Sequence, residues 1–178
     1  MSQLLARLAI QEWSRSQTLS DNIPNLVKSY VEDICPKGSD ALEKDEFWRA
    51  TKVAAWVSME NEQQSREFSK EYLRGFLNKE AERIPFHFED GKEHRDAGFE
   101  IIQQLISSSL IQQKSLTERL QFSHDLIAEY LGAWYLFDTR ECQPELNECV
   151  KQRIETMQKD NPHAAESFLN ALAQIEVL

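Results

Sequence analysis

The sequence predicts a mainly α protein: a helical pair, then a winged-helix module with a small two-stranded β-wing, then further helices. Three observations carry that expectation. Gly and Pro are scarce, five of each in 178 residues, and sit at punctuation points. Apolar residues between them recur at helical spacing. One short stretch, Arg119 to His124, alternates with period two instead, and would form half of a β-hairpin, the one sheet expected in the chain.

The elements follow in order. Residues 3–18 carry Leu4, Leu5 and Leu8, with Glu12 or Trp13 one turn further, as a first helix. Ser20, Asp21 and Asn22 supply cap chemistry for a second, and Pro24 falls in its first turn, where a missing N–H costs nothing. Leu26, Val27, Tyr30, Val31 and Ile34 form its apolar stripe, which stops at Pro36-Lys37-Gly38. Asp40 with Glu43 has the spacing of a capping box and opens a third helix to about Met59. Its centre, Val53-Ala54-Ala55-Trp56-Val57, is apolar nearly all round and should be the most buried. A fourth helix begins at Ser69, with Phe68 and Leu73 placed as a hydrophobic staple. Residues 83–92 read as a loop. Gly98, Ile101, Ile102, Leu105 and Ile106 share a face of a fifth helix.

Leu110 to Ser115 and Arg119 to His124 are the two candidate strands, joined by Leu116-Thr117-Glu118. Helix returns over Asp125 to Phe137, Pro144 to Gln158, and Pro162 to the end. The expected organisation is a helical domain (1–38), a winged helix (39–140) and the start of a second helical domain (141–178). The last pattern runs to Leu178 with no Gly, Asn or Pro to stop it, so the expectation is a segment of a longer protein.

Composition narrows the function classes. Lys plus Arg is 20 against 30 Asp plus Glu, a net charge of −10. Nucleic-acid backbones and anionic membrane surfaces both need a positive footprint, so neither is an expected partner. No apolar run approaches the roughly 20 residues of a membrane span. No basic region or small-residue cleavage site brackets Leu4 to Ile10 as a signal peptide. Three cysteines (Cys35, Cys142, Cys149) without a Cys-x-x-Cys pair suit a reducing compartment, and the expected localisation is cytoplasmic.

Chemistry-bearing groups are few. No Gly-rich phosphate loop of either common pattern occurs, so no nucleotide cradle and no catalytic residue is expected in this chain. Ser123, His124 and Asp125 are the residue types of a hydrolase triad, but strand neighbours point to opposite faces and cannot converge. His87, Glu89, Asp90, Glu93 and His94 crowd one loop without a metal-ligand spacing; a solvated acidic loop is expected and no metal site. The helix that would enter a DNA groove lacks cations: residues 101–113 carry no charge at all.

His124 stands apart. Alternation puts it on the face of Leu120 and Phe122, inward or toward a partner, where a helix begins. A helix start attracts anions and lowers a histidine's pKa, leaving a neutral imidazole able to donate one hydrogen bond. A core histidine satisfied by a backbone carbonyl is the other reading, and the sequence leaves both open.

Phe122-Ser123-His124-Asp125-Leu126, followed by Glu129-Tyr130-Leu131-Gly132-Ala133-Trp134-Tyr135-Leu136, resembles the end of the winged-helix domain of STAND signalling ATPases. These are the NACHT and NB-ARC proteins, among them NOD-like receptors, plant resistance proteins and apoptosome ATPases. NACHT members carry F-x-H and then E-[FY]-[LF]-x-A; plant members carry Met-His-Asp. Leu4-Leu5-Ala6-Arg7-Leu8-Ala9-Ile10 is similar to the first helix after their nucleotide-binding core. Two positions depart: Gln3 stands where the family usually has Pro, and Gly132 where it has Ala.

The resemblance implies a regulatory, ADP-sensing latch that is not itself catalytic. It makes His124 the histidine that contacts the ADP phosphate at rest. ADP and ATP are then ligands of the parent protein, with no cofactor held by this segment alone. The implied partner is the nucleotide-binding domain of the same parent chain, with oligomerisation of the parent on activation. The alternative is a winged-helix transcription regulator or protein-interaction module with no nucleotide link.

Overall fold

A computed structural model describes residues 3–16, 22–38, 40–60, 67–89, 96–114, 118–139, 151, 154–156, 158–159 and 162–177. Helix α1 spans Gln3–Ser16 and α2 spans Ile23–Asp33. Asn22 caps α2, its side-chain oxygen accepting from the Asn25 amide at 3.0 Å, while Pro24 occupies the first turn. Ser20 and Asp21, the other expected cap residues, lie outside the described residues. Val27 and Val31 are fully buried, and Gly38 turns the chain at φ 147°, a conformation that favours glycine.

Helix α3 spans Lys44–Glu60, and every residue from Val53 to Val57 is buried, as the all-round apolar pattern predicts. Its start corrects the capping box expected at Asp40 and Glu43. The chain there is committed to tertiary partners instead. The Gln104 side chain accepts from the Leu42 amide (2.8 Å) and donates to the Asp40 carbonyl (2.9 Å). Leu42 also forms a β-bridge with Phe88, with Glu43 N donating to His87 O and Glu89 N to Ala41 O. The helix therefore begins only at Lys44, and part of the stretch expected as loop, residues 87–89, is pinned to the core.

The sheet is also larger than expected. Strand β1, Glu67–Ser69, precedes α4 (Lys70–Arg83) and α5 (Ala97–Ser107); β2 (Ile111–Gln113) and β3 (Arg119–Phe122) follow. The three strands are antiparallel in the order β1-β3-β2, with Phe68 opposite Leu120 and Ile111 opposite Phe122. The two-stranded wing is thus a three-stranded sheet. β1 was illegible because three residues are too few to show a period. The expected cap holds: the Ser69 hydroxyl accepts from the Tyr72 amide, and Phe68 and Leu73 are both fully buried. Helix, strand, helix, helix, strand, strand, with the first strand paired to the last, is the winged-helix arrangement.

Helix α6 spans Asp125–Thr139 and lies along α3. Trp48 meets Trp134 edge-on (ring centroids 5.0 Å apart), Trp56 stacks on Tyr135 (5.6 Å), and Lys52 pairs with Asp138. Helix α7, Pro162–Glu176, packs on α6 with Ala165, Phe168, Ala171 and Ile175 buried, and Tyr130 donates to the Gln174 side chain at 2.8 Å. Of the helix expected over 144–158, residues 151, 154–156 and 158 are described and helical, as is 159 just beyond; the others lie outside the described residues. Most of the buried apolar side chains form one cluster running from Val27 to Ile175.

Candidate functional site: the junction before α6

The chain leaves β3 at Phe122 and enters α6 at Asp125, with Ser123 and His124 between. Both intervening residues are fixed by backbone partners. Ser123 donates its amide to the Leu110 carbonyl (3.0 Å) and its hydroxyl to the Ser109 carbonyl (2.6 Å). Ser109 itself sits in the left-handed region at φ 61°, unusual for a residue with a side chain. The His124 carbonyl accepts from the amides of Ile127 (3.1 Å) and Ala128 (3.3 Å), so His124 caps the helix with its backbone. The Ser123 hydroxyl is thereby engaged away from His124, which removes any geometric basis for the triad.

His124 does not follow Leu120 and Phe122 into the core. Those two are buried, but β3 ends at Phe122 and the alternation ends with it, leaving His124 half-buried. Among the described residues its imidazole has no hydrogen-bond partner. Its pKa is lowered, first by partial burial and second by the positive charge of Arg7 on α1. The ring is therefore held neutral near pH 7, with one N–H to donate and one nitrogen to accept. Arg7 is exposed, and the same charge acts on the Tyr30 hydroxyl of α2, lowering a pKa that burial raises. The charge of Arg7 on α1 therefore acts on both Tyr30 of α2 and His124 at the start of α6. The sequence marked His124 but not Arg7 or Tyr30, since nothing in helical spacing links residue 7 to residue 124.

The other expected groups fare differently. His87 and Glu89 belong to the bridge beside Leu42, while Asp90, Glu93 and His94 lie outside the described residues. Among the described residues no cluster of three metal-binding side chains exists. The outward face of α5 carries Phe99, 41% exposed, with Gln103 and Ser107 exposed beside it. The neighbouring wing lysines have acidic partners: Lys114 pairs with Glu67, and Lys70 lies 4.0 Å from Glu118. No helix among the described residues is long and apolar enough to cross a membrane.

A cavity of about 490 Å³, which the sequence did not signal, opens where α2 meets the start of α3. Glu32 and Lys44 form a 2.9 Å ion pair in its wall, and Cys35 and Leu42 line it. Burial raises the pKa of the Cys35 thiol, with the Lys44 charge opposing it, so the sulfur stays protonated and weakly nucleophilic at neutral pH. Cys142 and Cys149 lie outside the described residues.

A scan against protein-family models gives no match, and searches of curated proteins and of solved structures give none either.

Proposed function

We propose that this chain is the regulatory segment of a STAND-type signalling ATPase. In this reading the winged helix acts as an ADP-sensing latch and contributes no catalytic group. The observation that carries it is His124: a neutral, half-buried imidazole at the start of a 15-residue helix, with no partner among the described residues. That is the disposition of a group waiting for a ligand from outside its own core. The winged-helix strand order around the F-x-H phrase supports it. The nucleotide would sit on a separate domain of the parent, with His124 reaching its phosphate in the closed form.

A ligand shifts a two-state equilibrium only through unequal affinity for the two states. One histidine–phosphate hydrogen bond, at about 1.5–3 kcal/mol, biases closure roughly ten- to a hundredfold, enough for a switch but not for an absolute lock. Exchange of ADP for ATP would remove that bond and free the arm.

The test uses His124→Ala in the parent. ADP should leave faster and signalling should begin without a stimulus, while the melting temperature of residues 1–178 stays nearly unchanged. A destabilised segment with normal ADP release would make His124 a structural residue and end the proposal. The residues upstream of Met1 give a second check: a P-loop within a few hundred residues is required.

The rival, a winged-helix module without a nucleotide, is favoured by one feature, the exposed Phe99 on an uncharged α5 face. That face suits a protein partner better than DNA, because the cation beside Phe99, Lys70, is shared with Glu118 and the chain as a whole is acidic. Duplex DNA should not bind at physiological salt. Tight binding that weakens steeply with added salt would overturn the acidic-surface inference.

A further inference from the structure

We propose that the cavity between the end of α2 and the start of α3 binds a small zwitterion, a free α-amino acid with an apolar side chain. The site is independent of the His124 latch, and its ligand class follows from what lines it.

Charge is arranged there in two ways. Glu32 and Lys44 pair across the gap between the helices at 2.9 Å, so each already holds the other. Lys37 and Glu89 also line the cavity, both exposed, and among the described residues neither has an ion-pair partner. They share one cavity without pairing with each other. A ligand that carries both charges can satisfy both groups at once. The helix ends reinforce this. α2 finishes at the cavity with the partial negative charge of its last carbonyls, and α3 begins there with the partial positive charge of its first amides. An ammonium is favoured at the first end and a carboxylate at the second.

Leu42, only 1% exposed, lines the same cavity together with Cys35 and Pro36, so part of the wall is apolar. The volume of about 490 Å³ falls in the lower half of the roughly 300–1,000 Å³ that small-molecule sites occupy. An inorganic ion would leave the apolar part empty, and a purely apolar molecule would cover charged groups without pairing them. The backbone around the cavity is tied down by its own bonds. The Ala41 amide donates to the Gly38 carbonyl (3.1 Å), the Glu89 amide donates to the Ala41 carbonyl (2.8 Å), and Leu42 bridges to Phe88. A small ligand therefore need not order the chain in order to bind.

The wall is shared between the helical pair and the winged module. Glu32 and Cys35 come from the end of α2, Leu42 and Lys44 from the start of α3. A bound amino acid would add to the Glu32–Lys44 pair in holding α2 to α3, and would slow local opening there.

The probe is L-leucine at millimolar concentration, titrated into residues 1–178 while the backbone amides are followed by NMR. Two analogues separate the charges: L-leucinamide keeps the ammonium, as a peptide N-terminus does, and N-acetyl-L-leucine keeps the carboxylate, as a peptide C-terminus does. Leucine should shift the Gly38, Leu42 and Lys44 amides saturably, and each analogue should bind about tenfold more weakly for the loss of one charge-assisted contact. Glu89→Gln should weaken leucine and leucinamide about tenfold and leave N-acetyl-leucine as it was. Lys37→Gln should do the reverse, weakening leucine and N-acetyl-leucine only. Both side chains are exposed, so melting should not change in either variant. Bound leucine should also slow alkylation of Cys35 by iodoacetamide, read by mass spectrometry of its peptide.

No saturable shift with leucine overturns the proposal. So does an analogue that binds as tightly as leucine, which would make the site one for a peptide end or a lone charge. Leucine affinity unchanged in both variants, or Cys35 alkylation undiminished at saturating leucine, places any binding elsewhere and overturns it as well.

Discussion

The winged module and the helical pair are held in place by different means. The module has a deep core in which α3 and α6 lie side by side, with Ala54, Ala55, Leu131 and Ala133 fully buried and two aromatic pairs closing the seam. Polar pins brace it at the edges. Arg49 donates to the carbonyls of Ile84 and Pro85 (3.0 and 2.9 Å) and lies 3.9 Å above the Phe86 ring, tying the end of α4 back to α3. Asp96 caps α5 while accepting from Asn78 and pairing with Arg74. The pair α1–α2 contributes less: Pro24, Val27 and Val31 from α2 and, among the described side chains of α1, Leu8. A deep core unfolds as a unit, whereas a thinly attached helix can open by itself.

Truncating each core should expose the contrast most strongly. Phe68→Ala removes a fully buried ring between β3 and the helices, and should cost about 3–5 kcal/mol of global stability. Leu8→Ala should act locally: faster amide exchange along α1, with little change in the main melting transition. Equal losses of global stability from the two would mean that the pair and the module form one cooperative unit.

Glycine substitutions sharpen the same picture inside the module. A Cβ on Gly98 would lie 2.5 Å from the Arg74 carbonyl oxygen, and that oxygen cannot move without moving α4. Gly98→Ala should therefore destabilise by about 1–3 kcal/mol. At Gly132 the obstacle is the tip of Met59, whose terminal carbon would be 2.0 Å away. A methionine end can swing aside, and alanine gains about 1 kcal/mol over glycine in a helix, so Gly132→Ala should be near neutral. Urea melts of both variants give the comparison. Similar losses at the two sites would show that Met59 is as immovable as backbone.

What the sequence made legible follows from how each element is stabilised. α2, α5 and α6 show their burial as a 3.6-residue stripe or a continuous apolar run, and β3 shows Leu120 and Phe122 on one face. Those patterns are local, and they place the helices and the wing correctly. β1 escaped because Glu67-Phe68-Ser69 is defined by its partner β3, not by its own period. The start of α3 departs from its local signal because Gln104, more than sixty residues away, satisfies the Leu42 amide that a capping box would serve. At the candidate site the same division holds. His124 is visible because it stands at a strand-to-helix boundary, which leaves a local signature. Its half-burial, the environment of Arg7, and the cavity beside Cys35 are products of packing between distant segments, and no window of sequence contains them.

The smallest expected effect tests whether the helical pair and the module communicate through that site. His124 has a lowered folded-state pKa, against an ordinary value of 6.5 in the unfolded chain. A depressed pKa means that the unfolded state takes up the proton more readily. The contribution is therefore fully present above 6.5 and is lost as the pH falls through the folded-state value. Carboxylates begin to titrate lower in the same range, so the absolute decline in stability toward pH 5 is not diagnostic. The difference between variants is. Subtracting the curve of His124→Gln, which cannot titrate, should leave a shallow fall below pH 6.5 that belongs to this ring. Partial burial is the larger cause of the shift and Arg7 the smaller, so Arg7→Gln should reduce that fall without abolishing it. If Arg7→Gln leaves the difference curve untouched, α1 does not reach His124 in solution, and the two regions are coupled only through their apolar contacts.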